Sequence, residues 1–200
     1  MFLVLAICSA QINVGLALDG SSKMGQTHYA SAIKFVANVS NYLTVETSKT
    51  WIFLAYGQQK RVFKTRSELV SLTPSNEPYP GTASVYLGAT LAAIREEFND
   101  EGAQRGAANV VFLIASHKSD DDIAVPTALL KASNATIFAM GVDNSYSEGQ
   151  LKEIASDPND EHFIGLSTWD EVNKDIAKTI AKKICQGKYG KNNRNNHFTS

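Results

Sequence analysis

The sequence predicts an α/β domain: a doubly wound, mostly parallel sheet with one antiparallel edge strand and helices on both faces. Three observations predict it. Short apolar runs alternate along the chain with segments whose apolar residues recur every three or four positions, the order expected of strand–helix units with right-handed crossovers. The runs at 12–18, 110–114 and 136–142 lack the in–out alternation of half-exposed strands, which suits central strands covered on both faces. Only the runs at 51–56 and 61–63 are close enough to pair back on each other, turning through Gly57-Gln58-Gln59-Lys60.

A chain of 200 residues, 44% apolar and 20% charged, has room for one domain with a substantial core and is short for two. Residues 1–10, MFLVLAICSA, read as a signal remnant ending in small residues, or as an apolar lead-in strand. Residues 11–185 form the domain, and 186–200, rich in asparagine and bases with no acid, a disordered tail. A net charge of −1 excludes the strong basic field of a nucleic-acid binder, and no apolar run reaches the roughly 20 residues of a membrane span.

In order, Ala30, Ile33, Val36, Val39 and Leu43 mark one face of a helix at 27–43, leaving Lys34, Asn38 and Asn41 outside. A short helix is expected at 66–72, and the three prolines of 73–81 make that stretch a loop. Leu87, Leu91, Ile94 and Phe98 line a second helix. The acidic run Asp120-Asp121-Asp122 should open the next, with Pro126 in its first turn and Ile123, Pro126 and Leu130 inside. Ser147 with Gln150, and Ser167 with Asp170, read as capping boxes; the second opens a helix carrying Val172, Ile176, Ile180 and Ile184. Residues 163–165 form a last short strand.

The two cysteines, Cys8 and Cys185, bracket the domain. If the leader is retained, a Cys8–Cys185 bridge clasps the ends, contributing about 4–5 kcal/mol by loop entropy. If it is cut, Cys185 is unpaired or bonds another chain, giving a homo-oligomer. Two sequons, Asn38-Val39-Ser40 and Asn134-Ala135-Thr136, are compatible with N-glycosylation and, with the leader, point outside the cell.

Chemistry concentrates at Asp19-Gly20-Ser21-Ser22, at the carboxyl end of the first strand, where open α/β sheets place ligands. A carboxylate and two hydroxyls could hold a hard cation such as Mg²⁺; equally, they could end the strand and cap the next helix. His28 and His117 suit acid–base work but have no nucleophilic cysteine or elbow serine for company, so they read as loop histidines. Gly15, Gly20 and Gly25 make no dinucleotide fingerprint. A phosphoryl-transfer site would want further carboxylates or a lysine at neighbouring strand ends, and Ser116 stands where one is expected. The Asp120-Asp121-Asp122 cluster reads as a helix start rather than a cation site. The chain therefore reads as no enzyme.

The turn Asp19-Gly20-Ser21 in this element order, together with 51–57, 81–94 and 110–122, resembles the von Willebrand factor type A domain, a Rossmann-like fold, over about 8–185. The resemblance implies an adhesion domain. Its metal-ion-dependent adhesion site joins an Asp-x-Ser-x-Ser motif, a loop threonine and an aspartate after the fourth strand, and leaves a position for an acidic residue of the partner. Here Asp19 and Ser21 match, while Lys23 replaces the second serine and Ser116 the aspartate. Strict alignment of the threonine loop falls on Val85, so Thr82 or Ser84 would need a shifted loop. The expected site is thus degenerate, with Asp19, Ser21, Thr82 and Ser84 as the remaining metal-type ligands. Lys23, whose ammonium only donates, is expected near Asp19 as a charge in place of the metal. The resemblance implies a secreted, metal-independent module that binds an extracellular protein or matrix component without a cofactor. Mg²⁺- or Mn²⁺-assisted adhesion through Asp19 and Ser21, and a structural matrix role, are the alternatives.

Overall fold

The computed structural model describes residues 11–43, 50–56, 59–63, 68, 71–100, 103 and 105–186. The six strands among the described residues are β1 (Ile12–Leu18), β2 (Thr50–Tyr56), β3 (Gln59–Phe63), β4 (Ala108–Ala115), β5 (Thr136–Val142) and β6 (Phe163–Leu166). They form one sheet in the order β3-β2-β1-β4-β5-β6. Every neighbouring pair is parallel except β2–β3, the predicted hairpin edge.

The helices are α1 (Gln26–Ser40), α2 (Leu87–Asn99), α3 (Ala124–Ala132), α4 (Glu148–Ile154), α5 (Asn159–His162) and α6 (Lys174–Gln186). Successive strand side chains point to opposite faces, and the core divides accordingly. Ile12, Val14, Leu16 and Leu18 join Phe112 and Met140 against α1 and α6. Ala17, Phe53, Val111, Leu113 and Ile137 pack on α2, α3 and α4. β1 lies between β2 and β4 with all seven residues buried, which explains its unbroken apolar run. Among the described residues no helix is long and apolar enough to cross a membrane.

Several local expectations differ from the structure. The acidic run does not act as one helix start: only Asp122 caps α3, accepting from Ala124 N at 3.0 Å. Thr127, not Pro126, joins Leu130 on the buried face of α3, because Pro126 lies at the half-exposed rim. Ser147 accepts from Gln150 N at 3.4 Å, but the Gln150 carbonyl oxygen turns away to Ser119 N at 2.7 Å, so only half of that capping box forms. The second box is shifted by one residue: Thr168 and Glu171 close it around a single 3₁₀ turn. Asn173 then starts α6, accepting from Asp175 N and Ile176 N, and leaves Val172 outside the helix. Asn38 is half-buried rather than exposed, in the last turn of α1. Most of the expected 66–72 helix, the terminal segments 1–10 and 187–200, and Gly57-Gln58 lie outside the described residues.

Candidate functional site

The carboxyl ends of β1 and β4 carry the site. The run of buried strand residues delivers Asp19 into the protein, where its side chain is fully enclosed. An enclosed carboxylate must find donors. Asp19 Oδ1 accepts from Ser21 N at 2.9 Å, and Oδ2 accepts from Ser116 Oγ at 3.3 Å. His117 Nδ1 stands 3.0 Å from Ser116 Oγ and 4.0 Å from Asp19 Oδ2. The donors are thus a backbone amide and a hydroxyl, with one imidazole in a second layer.

Ser116 explains how Asp19 is accommodated. A second carboxylate at this position would face Asp19 at close range and require a cation between them. A hydroxyl turns the same contact into a hydrogen bond.

Three loops meet here. Ser21 pairs with Thr82 in an isolated parallel bridge, with Ser22 N donating to Thr82 O at 2.7 Å and Thr82 N to Gly20 O at 3.2 Å. Tyr79 OH donates to Ser21 O at 2.7 Å. The structure therefore brings Thr82 beside Ser21, but the Thr82 hydroxyl is spent on Ser84 O at 2.9 Å. Val85 is buried and bonds through its backbone alone, its N–H donating to Asp120 Oδ2 and its carbonyl accepting from Asp120 N. Among the described residues Ser21 Oγ is buried with no hydrogen-bond partner.

Lys23 does not neutralise Asp19. Its ammonium sits on Asp120, 2.9 Å from Oδ2 and 3.1 Å from Oδ1, with both side chains near 40% exposed. The reason is solvation: a flexible ammonium keeps more water at the rim than beside an enclosed carboxylate. Asp120 also accepts from Val85 N at 2.9 Å. That backbone bond, then the Lys23 ammonium, hold its carboxyl below the usual aspartate range.

The next residues were missed by sequence reasoning. Asp121 reaches back 33 positions to accept from Gly88 N at 2.9 Å and from Ala89 N at 2.7 Å, and Ser119 Oγ accepts from Leu87 N at 2.9 Å. These side chains from the β4–α3 loop cap α2, whose own N-cap residue, Tyr86, makes no side-chain bond. Glycine is required at Gly88 because a methyl there would overlap the carbonyl oxygen of Asp122. No nearest-neighbour signal marks a cap supplied from so far along the chain.

As a cation site the donor set is poor. It comprises one carboxylate already met by two donors, an orphaned serine hydroxyl and an ammonium in place of a ligand. Among the described residues no three His, Cys, Asp or Glu side chains cluster to hold a metal. Mg²⁺ prefers an octahedron of oxygens, and these residues do not fit that ion without several waters or a partner's oxygen. The other expected positions lie elsewhere: His28 stacks on Trp169 with ring centroids 5.0 Å apart, and Asn134 is exposed in the turn before β5. Cys185 carries no free thiol, and Cys8 lies outside the described residues.

A doubly wound sheet with three loops converging on an aspartate at its central strand end defines the class of the protein: an α/β domain with a loop-built ligand face. The von Willebrand factor type A domain model matches residues 13–179. The chain belongs to that family.

Among curated relatives, the collagen alpha-1(XII) chain of Notophthalmus viridescens is 25% identical over 96% of this chain and 21% of its own length. Vitrin of Bos taurus is 24% identical over 89% of this chain and 28% of its own. The chain thus spans about a quarter of the length of these relatives. Proximal thread matrix protein 1 from the mussel byssus superposes with a TM-score of 0.75 at 18% identity, covering 89% of this chain and 49% of that one. Another structure of that mussel protein has a zinc-occupied metal-ion-dependent adhesion site.

Proposed function

We propose that this chain is a non-enzymatic binding domain of the extracellular matrix that engages a protein partner through the loops at the carboxyl end of its sheet, without a bound metal. Its relatives include a collagen chain, a matrix component by name. The observation that carries the metal-free reading is the Ser116–Asp19 hydrogen bond, which satisfies the buried carboxylate where a second carboxylate would need a cation. Lys23, paired with Asp120, joins the first loop to the third in a way that needs no ion. Partner side chains then meet a preformed rim of Ser22, Lys23 and Tyr86, all exposed. A Cys8–Cys185 bridge closing residues 11–185 into one unit belongs to the same reading, since Cys185 is disulfide-bonded and Cys8 is the chain's only other cysteine.

The test is a thermal-shift titration with Mg²⁺, Mn²⁺ and EDTA on the wild type and Asp19→Ala. An ion bound only by the folded state raises Tm by mass action. We expect no response up to millimolar metal. Stabilisation that disappears in Asp19→Ala would replace this reading with the second one, Mg²⁺- or Mn²⁺-assisted adhesion through Asp19, Ser21 and a hydroxyl of Thr82 or Ser84. The orphaned Ser21 hydroxyl is the observation that favours it. Sustained turnover of a phosphate ester, lost in Asp19→Ala, would overturn both.

A further inference from the structure

We infer that Asn134 is an N-glycan acceptor and Asn38 is not, so that the sugar occupies the end of the domain opposite the binding loops. The inference rests on the extracellular reading above, because only a chain entering the secretory lumen meets the transferase.

The two sequons, Asn38-Val39-Ser40 and Asn134-Ala135-Thr136, both fit the acceptor pattern, and their structural settings differ. Asn134 is the C′ residue of α3 in a left-handed conformation (φ 58°). Its N–H donates to Lys131 O at 3.0 Å, and Ala135 N donates to Leu130 O at 3.1 Å. This is the bond pair of a Schellman motif, in which asparagine substitutes for the usual glycine. The backbone is thus held by the helix end while the side chain is exposed. Asn134 and Thr136 line the same open cavity of about 380 Å³, together with the polar side chains of Ser156, Asp157 and His162. The acceptor asparagine and the threonine of its sequon therefore border one open recess, with room for the first sugar.

Asn38 has none of these properties. It is half-buried in the last turn of α1, a helix packed along α6. Its carbonyl accepts from Asn41 N, and the hydroxyl of its sequon, Ser40, is 1% exposed and donates to Ala37 O at 2.6 Å. The transferase acts on extended chain, but the product must fold, and a half-buried asparagine beside a buried Ser40 leaves a glycan less room than the exposed Asn134.

The location carries the functional consequence. Thr136 begins β5, whereas Asp19 follows the end of β1, and the strands between them run parallel. A seven-residue strand rises about 23 Å, so the glycan and the loop face lie at opposite ends of the sheet. A partner can take the loop end of a fully glycosylated domain.

In the reaction, the Asn134 amide nitrogen attacks C1 of the reducing-end sugar of a lipid diphosphate-linked oligosaccharide. The N–C1 bond forms, the C1–O bond breaks, the lipid diphosphate leaves with the electron pair, and the amide proton passes to a carboxylate of the transferase.

The experiment expresses the full chain behind a heterologous secretory leader in eukaryotic cells, then maps glycopeptides after enzymatic deglycosylation that converts an occupied asparagine to aspartate. We expect one glycan, at Asn134, retained in Asn38→Gln and lost in Thr136→Val, which keeps the left-handed asparagine and a β-branched residue in the strand. Conversion at Asn38, or a secreted product with no conversion, overturns the inference. The extracellular reading is tested separately, by locating the natural protein in its own tissue with an antibody: an intracellular location overturns that reading and leaves the glycopeptide map as the measure of the site.

Discussion

The turn that follows β1 is braced from two sides, and the braces differ in how much water they see. On one side Tyr79 holds Ser21 O, and the loop carrying Tyr79 is anchored by Glu77. Glu77 is 2% exposed and accepts from Arg61 Nη1 at 2.6 Å and from Tyr56 OH at 2.8 Å. On the other side Lys23 holds Asp120 in the open. Both braces contain an ion pair, yet they do different work. A buried carboxylate with two partners makes each of them indispensable, because losing any one strands the rest in a low-dielectric setting. An exposed pair gives up hydration and side-chain entropy for nearly what it gains, and salt screens it.

The largest effect should come from the buried brace. Glu77→Ala takes the acceptor from Tyr56 OH and leaves Arg61 only the Asn76 carbonyl and solvent, and should cost about 3 kcal/mol by urea denaturation; a cost below about 1 kcal/mol would mean that water replaces the carboxylate and that burial does not distinguish the two sides. On the exposed side the sensitive position is not the ion pair but the seat of α2. Gly88→Ala should cost about 2 kcal/mol, since the overlap is with backbone and neither partner can rotate away. Asp121→Ala should cost about 1–2 kcal/mol as a lost cap for two amides, and unchanged stability would show that solvent meets those amides.

Alkali should loosen the buried brace selectively. Burial, then the bond to Glu77, push Tyr56 up to about 12. A raised value means that the folded state holds the phenol proton more tightly. The stability this confers is complete below pH 10 and is lost as pH rises towards 12. Tyr56→Phe should flatten that alkaline slope in a series of pH-dependent melts. The smallest effect belongs to Lys23→Ala, expected within about 0.5 kcal/mol and erased by 1 M salt. Asp120 keeps its bond to Val85 N in that variant, so its depressed pKa should persist in part; the stability it confers is present at neutral pH and disappears only as acid takes the carboxyl through its folded value.

Much of this architecture was legible in the residues. The apolar run 12–18 marked the central strand, and the period-two split of its side chains between two cores follows from strand geometry alone. The hairpin edge, the four longer helices and the polar turn at Asp19 are likewise readable, because each rests on periodicity or turn chemistry within a dozen residues. Asp19 and Ser21 could be named as the turn's chemical groups before any contact was known.

What Asp19 binds was decided only by the tertiary structure. Ser116 lies 97 residues from Asp19, and Asp120 lies 97 from Lys23. The local reading paired Lys23 with the nearer acid, and the fold paired it with the more exposed one, since desolvation outweighs proximity in sequence for a lysine. The acidic run looked like one helix start because charge near a helix N-terminus is a local signal; in the fold its three carboxylates serve Lys23 and Val85, α2, and α3 in turn. The two sequons both fit the acceptor pattern, and the fold separates them: one falls in the last turn of α1 and the other at an open helix end. Short-range order sets which elements form, whereas the partners of polar groups follow from which loops the sheet brings together and how much water each retains.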